Sequence, residues 1–291
     1  MKRHLASLLS ISCLLAAPLL AQTTSIGGGA CTSASLNGIY SVSITGRQVT
    51  TAAMTSGVYT NVFQANGSAT FDGLSKVTVS LTSDTNQAAA TSLTWSGTYS
   101  VQANCAGVMN IATGDTATLN LALYDSGSDF LISGSDASYT YSGTAITQPA
   151  SCSASTLDGI YTLTGTGFAL TTTAVSGAED GTGLLQFDGL GHVTVNITMS
   201  TVGAAASALT LTGTYTVSAG CLGTAALTDP SANAYVMSFS IYNSNATTTA
   251  FYAMLAQSSK FLIAGSGHAI YGQPTASARP LSGAADRRRR A

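Results

Sequence analysis

Apolar and polar residues alternate with a period of two along most of this 291-residue chain. Tyr40, Val42 and Ile44 alternate with Ser41, Ser43 and Thr45, and Val77, Val79 and Leu81 with Thr78, Ser80 and Thr82. Leu93, Trp95, Gly97, Tyr99 and Val101 share one face of a third run, and Leu119, Leu121 and Leu123 one face of a fourth. The same rhythm returns at Val193, Val195 and Ile197, at Leu209, Leu211, Tyr215 and Val217, and at Met237, Phe239 and Ile241. Successive side chains of a strand point to opposite faces, so each run predicts a strand with one buried and one wet face. Asp72-Gly73 and Asp188-Gly189 fall between runs and predict tight hairpin turns; Asn66-Gly67 predicts another.

Two sets of strands are predicted, because residues 31–148 are repeated with edits as residues 152–274. Asn37-Gly38-Ile39-Tyr40 returns as Asp158-Gly159-Ile160-Tyr161, and Phe71-Asp72-Gly73-Leu74 as Phe187-Asp188-Gly189-Leu190. Gly97-Thr98-Tyr99 returns as Gly213-Thr214-Tyr215. Phe130-Leu131-Ile132 matches Phe261-Leu262-Ile263, which leaves thirteen extra residues in the second copy around Asn245–Ser258 and predicts an added strand or hairpin there. Eight or nine strands per repeat suit a barrel or a barrel-like sandwich. Gly97 and Gly213 sit mid-strand on the apolar face, where glycine marks a bend or a close backbone approach, and this favours the barrel. The expected fold class is all-β: two tandem antiparallel β-barrels related by internal duplication.

Composition adds the compartment. Only 8% of residues are charged, and Ser, Thr, Gly and Asn supply the polarity, a mix that suits strands and turns over helices. Lys2, Arg3 and His4 precede an apolar stretch from Leu5 to Leu20, with small Ala21 at a cleavage point, so residues 1–21 read as a secretory signal peptide. Residues 22–30 read as a flexible leader, and 275–291, ending in Arg287–Arg290, as a disordered basic tail. Without the leader peptide, eight bases face twelve acids, a net charge of −4, with no basic face for nucleic acid. No transmembrane segment is expected in the mature chain. Four cysteines remain and allow three pairings. A duplicated domain carries its own bridge, which selects Cys31–Cys105 and Cys152–Cys221. Each closes a loop of about 70 residues, worth on the order of 4 kcal/mol.

The order Phe-Asp-Gly-Leu, Gly-Thr-Tyr, then cysteine resembles a repeat of uncharacterised secreted bacterial proteins, which are similar to small barrels of the lipocalin and allene-oxide-cyclase kind. The resemblance covers both repeats and implies a fold; an activity does not follow from it.

Material for chemistry is thin. His192 replaces Lys76 of the first copy, His268 aligns near Ala137, and neither is repeated. Glu179 is the only glutamate, and Glu179-Asp180-Gly181 reads as a loop turn. Asp72 and Asp188 read as turn residues. Asp115, Asp125, Asp129 and Asp136 lack the dense spacing of a calcium loop. No catalytic residue, metal ligand or cofactor is expected. Tyr40, Trp95, Tyr99, Tyr161 and Tyr215 lie on the apolar faces, where they either pack the core or line a ligand cavity inside a barrel. The expected function is a secreted, non-enzymatic barrel protein that binds a small apolar ligand or a cell-surface polymer, or is structural at the cell surface. The alternatives are a cyclase-like or isomerase-like barrel confining an apolar substrate, and an outer-membrane barrel. Oligomeric state is not legible in the sequence.

Overall fold

The alternating runs form sixteen strands, which in a computed structural model close into two antiparallel barrels of eight. The structure describes residues 30–48, 61–85, 90–171, 175–245, 248–257 and 260–270. The expected signal peptide, all of the leader but Ala30, and the basic tail lie outside the described residues. The first barrel comprises β1 (Asn37–Gln48), β2 (Val62–Asp72), β3 (Lys76–Thr85), β4 (Thr91–Val101), β5 (Ala106–Thr113), β6 (Ala117–Tyr124), β7 (Asp129–Ser135) and β8 (Tyr139–Thr147). The second comprises β9 (Asp158–Leu170), β10 (Val175–Asp188), β11 (His192–Thr201), β12 (Ser207–Val217), β13 (Leu222–Thr228), β14 (Ala234–Asn245), β15 (Thr248–Gln257) and β16 (Phe261–Ala269). Within each barrel every strand pairs with the next in sequence. β1 closes on β8, with Tyr40 opposite Thr147, and β9 closes on β16, with Tyr161 opposite Ala269.

The apolar face of each run points inward. In β6 burial alternates strictly, with Ala117, Leu119, Leu121 and Leu123 buried and Thr118, Asn120 and Ala122 exposed. Each interior carries an aromatic cluster around one phenylalanine. Phe71 lies edge-on to Tyr40, Tyr99 and Phe130 at 5.5, 4.9 and 5.5 Å between ring centroids. In the second barrel Phe187 meets Tyr161, Tyr215 and Phe251 at 5.6, 4.9 and 5.8 Å. Phe251 therefore takes the place of Phe130, and the expected match of Phe130 to Phe261 is wrong by one strand. Phe130 opposes Leu123 on β6, and Phe251 opposes Ile241 on β14. Tyr124 to Phe130 spans six positions, and Tyr242 to Phe251 nine, so the second copy holds a longer hairpin and, among the described residues, no ninth strand. In the same register His268 corresponds to Ile146; the expected match near Ala137 fails with it.

One end of each barrel is capped. Cys31–Cys105 and Cys152–Cys221 are both formed. Each bridge ties the segment before the first strand to the turn between the fourth and fifth. That segment makes a 3-10 turn, Ser33–Ser35 or Ala154–Thr156, followed by a fully buried Leu36 or Leu157. The Tyr99 hydroxyl donates to the Ser33 and Leu36 carbonyls at 3.0 and 2.9 Å. Tyr215 repeats this with Ala154 and Leu157 at 2.9 and 3.2 Å. Paired disulfides of this kind belong to an oxidising environment.

The barrels are packed against each other through β1, β2 and β8 on one side and β9, β14, β15 and β16 on the other. The outward-facing Asn66 is buried in this seam. Its amide donates to the Ser238 carbonyl at 2.7 Å and accepts from the Ser238 hydroxyl at 2.8 Å. The expected turn at Asn66-Gly67 is thus the middle of β2; the polar residue that looked like a turn former serves the interface instead. Ser41 donates to the Ile241 carbonyl at 2.5 Å, and Thr144 to the Tyr252 hydroxyl at 2.8 Å. Val62, Leu170, Met254 and Leu262 form an apolar patch beside these bonds.

Candidate functional site

Both barrels share the cap of disulfide, 3-10 turn and tyrosine; besides the longer β14–β15 hairpin at the capped end of the second, they differ at their far ends. Strand equivalence follows from the shared Phe71 and Phe187. Eight residues upstream of each, on the same inward face, the first barrel holds Phe63 and the second Glu179. Phe63 opposes Gly46 and Thr85; Glu179 opposes Gly167 and Thr201. In the first barrel Phe63 stacks on Trp95 at 6.3 Å and meets Tyr141 edge-on at 5.7 Å. Leu211 and Ile263 stand where Trp95 and Tyr141 stand, because Gly213 aligns with Gly97 and Gly267 with Ala145. Three rings thus fill the first mouth, while two aliphatic side chains and a carboxyl face the second.

A pocket of about 270 Å³ opens at that second mouth. Glu179 and Thr201 form one wall, Tyr235 and Phe261 another, and Lys260 and Ser207 stand at the rim. Glu179 is 6% exposed and accepts a hydrogen bond from the Thr201 hydroxyl at 3.1 Å. Burial raises its carboxyl pKa, and the Thr201 bond offsets this only in part. The expected loop turn at Glu179-Asp180-Gly181 is therefore a continuous part of β10, with Glu179 inward and Asp180 outward. The Tyr235 and Phe261 ring centroids are 6.0 Å apart at 33°. Tyr235 donates to Asp229 at 3.1 Å, and burial together with that carboxylate pushes its hydroxyl up to about 12. Sequence reasoning passed over Glu179. The signal that reveals it is the phenylalanine at the equivalent place in the first copy.

The first mouth carries its own polar group. The Tyr141 hydroxyl donates to Asp136, and Asp115 lies beside both, with its oxygen 3.5 Å from the hydroxyl. Burial and the neighbouring Asp136 raise Asp115. Burial works against charge on Asp136 too, but bonds from Tyr141, Ser138 and Tyr139 outweigh it and hold Asp136 low. The acids Asp125 and Asp129 sit at the opposite, capped end around the β6–β7 turn. Among the described residues no group of three or more His, Cys, Asp or Glu could hold a metal ion.

Tyr40, Trp95, Tyr99, Tyr161 and Tyr215, named above as core or ligand-lining residues, are all buried inside the barrels. Tyr40 donates to the Gly127 carbonyl at 2.9 Å, and Tyr99 and Tyr215 hold the caps. Among the described residues the Trp95 indole nitrogen is buried without a partner. The further grooves lie along the seam. One of about 360 Å³ is bordered by Asn66, Thr82, Thr216 and Phe239, and one of about 310 Å³ by Ser43, Thr144, Thr166 and Tyr252. No protein-family model matches the chain, and a search of curated proteins finds no match.

Proposed function

We propose that this is a secreted, non-enzymatic pair of fused barrels that acts at the cell surface, binding through its mouths and outer faces and not through an interior cavity. The packed interiors carry this reading. Tyr40, Phe71 and Phe130 in one barrel, and Tyr161, Phe187, Phe239 and Phe251 in the other, are each at most 2% exposed, and Phe71 and Phe187 meet the rings around them edge to face. A barrel that confines an apolar substrate, as the cyclase-like alternative requires, needs a hollow of several hundred Å³, roughly 300 or more. An outer-membrane barrel requires an apolar outer band and a polar lumen. Here the lumen is apolar and the outward positions of β3, β4 and β6 are mostly threonine, serine and asparagine. No helix among the described residues is long and apolar enough to cross a membrane.

Two measurements test the proposal. Titration with a long-chain fatty acid and with an apolar fluorophore leaves the emission of Trp95, the only tryptophan, unchanged. The mature protein co-sediments with washed cell-envelope material. Stoichiometric uptake of an apolar probe with quenching of Trp95 would place the ligand inside a barrel and remove the proposal.

A further inference from the structure

We infer that the pocket at the mouth of the second barrel is a saccharide subsite that takes one pyranose ring, such as the end of a glycan chain. The inference rests on the surface-binding reading above and gives it a ligand class. Its first support is the exchange of Phe63 for Glu179 between copies. Equivalent inward positions of duplicated barrels carry a ring in one and a carboxyl in the other, and in the second the buried carboxyl lines a pocket. A lone buried carboxyl is costly unless something bonds to it, and among the described residues Thr201 is the side chain that donates to it.

The pocket's chemistry matches a hydroxyl-rich ring. Its volume of about 270 Å³ lies just under the ~300–1,000 Å³ of drug-sized sites, which leaves room for a single small ring. Tyr235 and Phe261 are tilted by only 33° and offer an aromatic wall. The negative ring face attracts the polarised C–H groups on the flat side of a pyranose. Glu179 accepts from sugar hydroxyls, Lys260 donates to them, and Thr201 and Ser207 do both. Hydroxyls satisfy acceptor and donor alike, whereas an aliphatic ligand would leave Glu179 desolvated with one partner. The Asp229 bond fixes Tyr235 in place before any ligand arrives.

Saturation-transfer NMR on the full mature chain, with the methyl glycosides of glucose, galactose, mannose and N-acetylglucosamine as probes, tests the assignment. At least one glycoside binds in the millimolar range. Glu179→Phe, which copies the first barrel and fills the pocket, weakens it by roughly tenfold or more, and Lys260→Ala weakens it several-fold. If Glu179→Phe does not fold, Ser207→Trp closes the same rim from an exposed position and gives the same loss. Absence of binding by all four glycosides, binding indifferent to these substitutions, or binding of glycine in their place overturns the saccharide subsite. Envelope co-sedimentation separates the two proposals: if it persists while the glycosides fail, surface binding stands without this pocket, and if it is lost as well, the broader reading falls.

Discussion

At the scale of single residues, two repeated features mark where a side chain is forbidden and where one is required. Gly97 and Gly213 sit where an ideal Cβ would lie 2.0 Å from the Asn110 carbonyl oxygen and 1.9 Å from that of Ala226. The obstacle is the backbone of the neighbouring strand, which the coiled sheet brings under the glycine; it is not the opposite wall of the barrel. Gly97→Val and Gly213→Val therefore each cost at least the ~1–3 kcal/mol of ordinary overpacking, despite valine's strand propensity. Thr98→Val and Thr214→Val, on the wet face, stay within about 0.5 kcal/mol. Urea denaturation of the four variants checks the contrast, and a Gly97→Val protein as stable as wild type would refute it. Asp188 is the required side chain. One carboxylate oxygen accepts the Leu190 and His192 backbone N–H groups at 2.8 Å each, and the other meets the His192 ring at 2.7 Å. These bonds, the His192 N–H first, lower its pKa to about 2. A folded pKa below the ordinary ~3.9 means that the contribution is complete above about pH 4 and fades as pH falls through about 2. Asp188→Ala therefore lowers Tm at neutral pH, and the gap to wild type narrows on acidification; a gap independent of pH would contradict the assignment. Gly189, at φ +71°, completes this turn where other residues would be strained.

At the scale of elements, the cap is the part that the duplication copied most faithfully. A 3-10 turn has too few hydrogen bonds to hold itself over a barrel end. The disulfide anchors one side of it, and the Tyr99 or Tyr215 hydroxyl holds the carbonyls on the other. The Cys152→Ser, Cys221→Ser double variant loses on the order of 4 kcal/mol from its 69-residue separation, read by denaturant unfolding. Tyr99→Phe takes a donor from both carbonyls, leaving Ser33 only the Leu36 N–H, and costs ~1–2 kcal/mol. Amide exchange in both variants rises first in the cap, at Leu157 or Leu36. Uniform loss of protection around the barrel would show that the cap is not a separate element.

At the scale of the whole molecule, each barrel has its own closed sheet, core and bridge, so each satisfies the requirements of an autonomous domain. Residues 30–148 expressed alone in an oxidising compartment unfold in one cooperative transition. The isolated second barrel folds but self-associates, because Tyr242, Tyr252, Met254 and Leu262 lose their cover. Mixing the two parts restores a one-to-one complex, measured by analytical ultracentrifugation. Asn66→Ala, which strands the Ser238 hydroxyl in the seam, weakens that complex by ~1–3 kcal/mol. If the first part alone is molten, or the parts do not recombine, the seam is not the interface described.

Local chemistry determined the strands, the hairpin turns at Asp72 and Asp188, the domain number and the disulfide pairing. Alternation, turn residues and copied cysteines are all written within a few residues or within one repeat. Tertiary structure alone decided the rest. The match of Phe251 to Phe130 depends on which ring reaches Tyr161 and Phe187 across the barrel, and the string Phe-Leu-Ile one strand later imitates it. Asn66 and Ser41 look solvated by their period, and become buried only because a second barrel lies on top of them. Glu179 sits among Asp180 and Gly181 like a loop residue, yet strand pairing with Gly167 and Thr201 carries it inward. Period two tells which side of a strand a residue takes; what occupies that side is set by chains hundreds of residues away or by the other copy of the fold.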